Sequence, residues 1–411
     1  MRILLLSQWF DPEPAVFKGL TFARALLARG HEVRVVTGFP NFPEGRLYPG
    51  YRVRPFQCEI MDDVTVLRVP LFPSHSRSRI GRSANYLSFC ASAGTIGAAF
   101  GGAADVIYAY HPPATIGVAA AAIGIVRRAP IVLDVQDLWP DSLAATGMVQ
   151  SPRVLHLLGR LCAWNYRRAA RVVVLSEGFR TALEERGVPA EKLRVIYNWS
   201  EEVPAPERDP AWGRELGLDG RFNVVFAGTM GLAQRLDAVL AAAARCSALR
   251  PDIQFVFVGG GVDKERLERV AAEKRLPNVR FLPRQSAAQI RRTMALADAL
   301  LVHLRDDPLF RITIPSKTQS YLHAGRPVIM AVRGDAAEMV TRARAGLVAN
   351  PDDPVSIADA VLTLERMPLE ERRMLGKNGA EFYDQHLSQR EGVRRFEECF
   401  LELGPARLAG A

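Results

Sequence analysis

Two sets of short apolar runs, each alternating with helical stretches, constrain this chain more than any single motif does. In the first set Ile3 to Ser7, Glu32 to Thr37, Val64 to Val69, Val106 to Ala109, Ile131 to Val135 and Val172 to Leu175 read as strands, with a helix at Leu20 to Ala28 closed by Gly30. Short apolar runs bounded by turns and joined by helices predict a parallel sheet covered on both faces. The pattern restarts after residue 200 with Asn223 to Ala227, Gln254 to Val258, Val279 to Leu282, Ala299 to His303 and Val328 to Ala331. The break between the sets, EEVPAPERDP, is rich in proline and charge and reads as a linker. The expectation is therefore an α/β chain of two Rossmann-like, doubly wound domains: 1–200, a linker at 201–210, 211–380, and a helical segment at 381–411. Such domains take ligands at the carboxyl ends of their strands, and a cleft between two of them is a favoured place for a ligand.

A length of 411 residues suits two cores. The five cysteines are scattered, odd in number and never in a C-x-x-C pair, which points to a reducing compartment and away from disulfides and zinc. The opening MRILLLSQWF reads as a first strand and not as a signal peptide. A net charge of +9 implies an anionic partner. The basic residues are dispersed without an aromatic-basic recognition run, so nucleic acid is not expected.

The segment Phe310 to Met330 carries the sharpest local signal. Pro315 turns a loop into a short helix whose first turn holds Ser316 and Lys317, and Gly325-Arg326-Pro327 breaks it before an apolar strand. Proline is tolerated at the first helical position, and a helix start gathers unpaired N–H groups that favour a phosphate. The bland alternative is a capped surface helix with a solvated lysine. Gly228-Thr229-Met230-Gly231 follows the first strand of the second half, and Lys18-Gly19 precedes the first helix of the first half. Glycines there let backbone N–H groups approach a phosphate, although each loop alone is equally a structural turn. No Walker A run or G-x-G-x-x-G occurs, and no metal-ligand spacing is present. Residues 74–101 place Arg77, Arg79 and Arg82 before an apolar stretch near spanning length, a pattern suited to an anionic membrane surface or to a helix packed inside the first domain.

The ordered blocks SQWFDPEPAVFKGLTFARALLARGHEVRVVTGFPNFPEG, VIYAYHPP, VLDVQDLWPDS, RVIYNWSEE, VVFAGTMGLAQRLDAVL, VRFLPRQS and IPSKTQSYLHAGRPVIM resemble family-four glycosyltransferases of the GT-B fold. They are most similar to the bacterial O-antigen and capsule subgroup that includes N-acetyl-L-fucosamine transferases. The resemblance implies retaining transfer of a sugar from a UDP-sugar to a polyprenyl-diphosphate-linked acceptor in surface polysaccharide synthesis. It also implies a cytoplasmic enzyme peripherally associated with the inner membrane face, with no cofactor beyond the donor. Activity without a metal is expected, because helix starts and Lys317 can stabilise the leaving diphosphate.

Several positions depart from that family's pattern. Its two glutamates before the A-x-G-x-P-V-I run fall on Ile312 and Ser320, and Ser320 retains one hydrogen-bonding group for the ribose. Its basic pair after the glycine loop falls on Thr229 and Gln234, which leaves Lys317 and Arg235 to supply charge. Arg284 matches the base position, and Glu338, after Gly334-Asp335, matches a glutamate close to the donor. In the first domain the family histidine falls on Gln136. Beside it Asp137, favoured over Asp134 and Asp141, is the candidate general base, with a turn cap at Leu138-Trp139-Pro140 as the competing role. His111, after another strand, is a candidate for sugar hydroxyls or for a structural hydrogen bond. From Leu369 to Leu403, Phe382, Tyr383, Phe396 and Phe400 are spaced to form one apolar face. In the family this last helix crosses back to the first domain. A UDP-sugar epimerase of the same fold and a non-catalytic membrane scaffold stand as rival readings.

Overall fold

The computed structural model describes residues 1–13, 18–74 and 79–404. The chain divides into two compact units, Met1–Tyr197 with Gly392–Ala411, and Asn198–Glu391. The return to the first unit falls inside the Gln389–Leu401 helix, later than the expected boundary at residue 381.

The first unit holds eight strands: β1 (Arg2–Leu6), β2 (Glu32–Gly38), β3 (Gln57–Met61), β4 (Val64–Val69), β5 (Val106–His111), β6 (Ile131–Val135), β7 (Arg171–Val174) and β8 (Leu193–Val195). Their order is β3-β4-β2-β1-β5-β6-β7-β8, parallel throughout except for the β3–β4 hairpin. Every residue of β5 and β6 is buried, as a strand covered on both faces requires. The order reverses direction between β1 and β5, so His111 leaves the sheet at a topological switch point.

The second unit holds β9 (Phe222–Ala227), β10 (Ile253–Val258), β11 (Val279–Leu282), β12 (Ala299–His303), β13 (Val328–Ala331) and β14 (Gly346–Val348), in the all-parallel order β11-β10-β9-β12-β13-β14. The reversal here lies between β9 and β12, which fixes where the Gly228 turn emerges. Three of its helices begin on an Asp-Pro pair: Asp209-Pro210, Asp307-Pro308 and Asp353-Pro354. In each the aspartate accepts a hydrogen bond from a backbone N–H of the first turn, while the proline occupies a position whose N–H would have had no partner.

Some expectations are corrected. Pro315 is the N-cap, in extended conformation, and the helix starts at Ser316. The four aromatic residues near the end do not share a face. Tyr383 accepts a hydrogen bond from Ser200 N in the second unit, the Phe382 ring lies tilted against His386, and Phe396 packs on Phe22 and Tyr108 in the first unit. The Glu201 to Pro210 stretch lacks helix or strand until Pro210, yet it is packed: Val203 O faces His323 Nε2 at 3.2 Å and Glu202 bonds to Tyr383. Among the described residues no helix is long and apolar enough to cross a membrane. Arg77 and the side chain of Arg79 lie outside the described residues.

Candidate functional site

In the second unit two glycine turns meet at the carboxyl ends of β9 and β10. Gly228 N donates to Val258 O, and Met230 N donates to Gly260 O. A Cβ on Gly259 would stand 2.3 Å from Gly228 O, and one on Gly261 would stand 2.1 Å from Met230 O. Both positions also have φ above +130°, so glycine is required twice over, by contact and by conformation. On the other side of Gly228 a Cβ would stand 2.6 Å from Lys317 Cε. The Ser316–His323 helix thus delivers its first-turn lysine against the β9 turn. Tyr321 locks that approach: its hydroxyl accepts from Ala227 N at 2.8 Å and donates to Ala227 O at 3.2 Å.

Lys317 is half-buried and makes no ion pair among the described residues. Its Nζ rests 3.7 Å from the centroid of the Phe226 ring. Burial pushes the ammonium down to about 7, because leaving water disfavours the charged form. A cation held this way beside two glycine turns is primed for an anion.

Adjoining this cradle is a cavity of about 340 Å³ lined by Gly228, Thr229, Gly259, Gly260, Arg284 and Ser320 among others. Its apolar wall comes from Ile290, Met294 and Ala324, and its rim carries Arg291, paired with Glu201 at 3.0 Å. Four sequence candidates therefore share one cavity, and Lys317 lies outside its lining, against Gly228. Others do different work. Gln234 Oε1 accepts from Gly231 N at 3.0 Å, so its amide folds the glycine turn. Arg235 is exposed and pairs with Asp352 at 3.3 Å. Ser316 is exposed at the helix start, and Ser320 donates back to Lys317 O while facing the cavity. Asp335 opens the Asp335–Ala343 helix, and Glu338 is exposed on its first turn. A Cβ on Gly334 would stand 1.9 Å from Arg311 O, so this helix start is pressed onto the Pro308–Arg311 turn. Sequence reasoning missed Tyr321, and it also missed His303, whose Nδ1 lies 2.6 Å from Gln234 O and whose Nε2 accepts from Asp352 N. It also missed that Glu201 and Val203 line the cavity.

In the first unit Lys18 departs from expectation. Its side chain is fully buried, its Nζ donates to Asp134 Oδ2 at 2.7 Å, and it lies over the Phe396 ring, so it cannot meet a bound phosphate. Gly19 caps the first helix without a side chain, as its place in the chain implied. Asp134 also accepts from Tyr108 and from Gln136 Nε2 at 2.7 Å. That network ties up Asp134 and orients the Gln136 amide.

Asp137 is different. The turn after it is closed by its backbone, Trp139 N donating to Asp137 O, and its carboxylate makes no hydrogen bond among the described residues. The residue is exposed by surface area, yet protein crowds its carboxyl and raises it to about 6. His111 is buried with neither ring nitrogen hydrogen-bonded among the described residues, and burial lowers its imidazole to about 4. The strand ends are joined by Gln136 N donating to His111 O, and Trp139 sits edge-on to the His111 ring. A neutral imidazole and a carboxyl of raised basicity thus stand on adjacent strand ends. Among the described residues no group of three or more His, Cys, Asp or Glu is placed to hold a metal ion.

Two doubly wound units, one with paired glycine turns at the ends of β9 and β10 and the other with His111 and Asp137 beyond the neighbouring strands β5 and β6, have the architecture of a GT-B glycosyltransferase. Residues 20–199 match the Glycosyl transferase 4-like domain and residues 210–382 the Glycosyl transferases group 1 domain, so the chain belongs to these glycosyltransferases. It is 27% identical over 337 residues to WcaI of Escherichia coli, a glycosyl transferase named for colanic acid biosynthesis, covering 79% of this chain and 82% of that one. It is 24% identical over 274 residues to the glycosyltransferase WbjE of Pseudomonas aeruginosa, covering 65% and 67% of the two chains. It is also 26% identical over 396 residues to a GDP-mannose-dependent alpha-mannosyltransferase of Mycolicibacterium smegmatis, covering 91% and 92%. Among solved structures, Anabaena HepE in complex with UDP superposes with a TM-score of 0.70 at 18% identity, over 98% of this chain and all of that one.

Proposed function

We propose that the chain is a retaining glycosyltransferase that moves a sugar from a UDP-sugar to a polyprenyl-diphosphate-linked saccharide in O-antigen, capsule or exopolysaccharide synthesis. N-acetyl-L-fucosamine or another N-acetylamino sugar is the proposed cargo. The observation that carries the reading is Lys317 set without an ion pair against the Gly228 turn, beside a cavity that offers Arg284 and Ser320. A diphosphate left unpaired there would be costly, and Lys317 with the helix start supplies the missing charge. The solved structures carrying UDP and UDP-glucose, and the name of WcaI, a colanic acid biosynthesis glycosyl transferase, support donor class and role.

The chemistry follows from the residues. The anomeric carbon loses its bond to the diphosphate oxygen, whose electron pair leaves with UDP under Lys317, and gains one to the acceptor oxygen on the same face of the ring, which retains the configuration. The acceptor hydroxyl's proton passes to Asp137. His111, buried and kept neutral, packs beneath this strand end against Trp139 and supports the turn that carries Asp137. A GDP-sugar is the second reading, favoured by the names of the mannosyltransferase relatives.

The test is transfer from UDP-N-acetylamino sugars and from GDP-mannose to polyprenyl-diphosphate saccharides, with the anomer of the product assigned by NMR. We expect transfer from a UDP donor with retained configuration and a loss of about 10²–10⁴ in kcat for Asp137→Asn. Hydrolysis or epimerisation without acceptor would overturn the reading, as would transfer only from GDP-mannose.

A further inference from the structure

A second cavity lies within the first unit and has no part in the site described above. It measures about 790 Å³ and opens between the Pro152–Arg168 helix and the Arg186–Pro189 turn that follows the Glu177–Glu185 helix. Cavities of roughly 300–1,000 Å³ are those that small ligands fill. Its third wall is Trp139-Pro140-Asp141, which begins two residues after Asp137. Packing does not explain why Gly159 stands inside the long helix, where glycine is costly. A Cβ there would meet nothing nearer than Pro140 Cγ at 3.8 Å, so the glycine serves to keep the cavity open.

The lining sorts by chemistry. On the inside Trp139, Cys162, Tyr166 and Val188 are buried. Tyr166 is only 4% exposed, and its enclosed hydroxyl finds no hydrogen bond of acceptable geometry among the described residues. The Cys162 thiol, one helical turn earlier, is its polar neighbour. Burial pushes that thiol up to about 12 and also raises the phenol, so both remain neutral donors. At the mouth Arg167, Arg186 and Lys192 stand against one carboxylate, Asp141. Lys192 Nζ donates to Arg167 O and Ala169 O, each at 3.0 Å. Arg186 Nη2 lies 2.8 Å from Asp141 Oδ2 in a half-exposed pair of the kind that is readily exchanged. Arg167 is exposed and makes no ion pair among the described residues. Cations at the mouth with ring faces and neutral donors inside select a ligand that is anionic at one end and a hydroxylated ring at the other. Phosphate alone would leave the inner wall unfilled, and a neutral sugar would leave the guanidinium groups unmatched.

We propose that this cavity binds a small sugar phosphate, with the phosphate on Arg167 and Arg186 and a sugar oxygen on the Tyr166 hydroxyl. The phosphate would take Arg186 from Asp141, the first residue of the Asp141–Ala145 helix and four residues after Asp137. Occupancy would thereby loosen the turn that carries Asp137 and lower kcat, a consequence that rests on the proposed function, whereas the site itself does not.

The experiment is titration calorimetry of the intact chain with glucose 1-phosphate, inorganic phosphate, glucose and AMP. Glucose 1-phosphate should bind the wild type and Lys317→Ala alike, since the two cavities share no residue, and more tightly than the other three probes. Arg167→Ala/Arg186→Ala should weaken it about tenfold or more. Tyr166→Phe should weaken it about three- to tenfold and leave the melting temperature unchanged, because that hydroxyl has no partner to lose in the free protein. A purely structural tyrosine would lower the melting temperature and leave binding alone. Gly159→Leu, which fills the space, should abolish binding. A wild type that binds none of the probes would overturn the proposal, as would equal affinity for phosphate or glucose, a preference for AMP, or loss of binding in Lys317→Ala. In a transfer assay glucose 1-phosphate should lower kcat of the wild type but not of Arg167→Ala/Arg186→Ala; an unchanged wild-type kcat would break the link to Asp137. Calorimetry needs neither donor nor acceptor, so a chain that binds the sugar phosphate but transfers no sugar keeps this site and loses the proposed reaction.

Discussion

In the proposed function Lys317 binds the diphosphate because of what it lacks. With its ammonium lowered to about 7 by burial, the free protein near neutrality holds a mixture of charged and neutral lysine. A diphosphate restores the charge, so binding takes up a proton above that value. The affinity for UDP-GlcNAc should be level below pH 7 and then fall towards pH 9, approaching about tenfold per pH unit. Lys317→Arg should flatten the profile and Lys317→Ala should bind weakly throughout, as titration calorimetry would show. The sign for stability is opposite. The folded value lies below the ordinary 10.5, so the unfolded chain binds more protons between about 7 and 10.5, and the ligand-free protein gains stability as pH rises through that window. The place of Lys317 in the first turn of a helix was legible from Pro315-Ser316-Lys317, a run that closes a loop and opens a helix. Lys18 looked similar, as a lysine beside a glycine before a helix. Its role is set by Asp134, 116 residues away, and by Phe396 on a returning helix, neither of which local sequence can announce.

Among the elements, the paired glycine turns matter most for the cradle. Gly259→Ala would drive a Cβ into the Gly228 carbonyl at a φ of +135°, at a cost of about 1–3 kcal/mol from strain alone. We expect it to lower the melting temperature and to remove the shift caused by UDP, whereas Gly260→Ala, with open space around its Cβ, should leave the fold intact. The second outcome separates a close approach from a general need for glycine. Sequence reading found β4, β6, β12 and β13 to the residue and the other central strands within about two residues, because burial on both faces writes an unbroken apolar run, and it also found the edge strand β11 from its Val-Arg-Phe-Leu run. It missed β3, β8 and β14. Each is the edge of its sheet, half exposed or only three residues long, and so carries no such run. The Asp-Pro helix starts were present in the sequence and went unread.

At the scale of the molecule, the restart of the strand pattern after residue 200 was enough to give two doubly wound units. The switch points at β1/β5 and β9/β12 then account for where His111 and Gly228 emerge. Less legible was the path of the chain, since residues 392–404 complete the first unit through contacts such as Glu402 with Arg171 and Arg194. A reaction whose leaving diphosphate is neutralised by Lys317 and a helix start needs no bridging cation. Transfer should therefore persist in EDTA, and loss of activity that magnesium restores would contradict this. The most direct test of the central claim is a thermal-shift comparison of UDP, UDP-GlcNAc, UDP-FucNAc, GDP, GDP-mannose and NAD on the wild type and on Lys317→Ala. A ligand held only by the folded state at a hundred times its Kd adds about 2.7 kcal/mol, which such a scan resolves. Stabilisation by the UDP compounds that shrinks in the variant is the expected result. Stabilisation by NAD alone, or equal UDP shifts in both proteins, would contradict a UDP-sugar site built on Lys317.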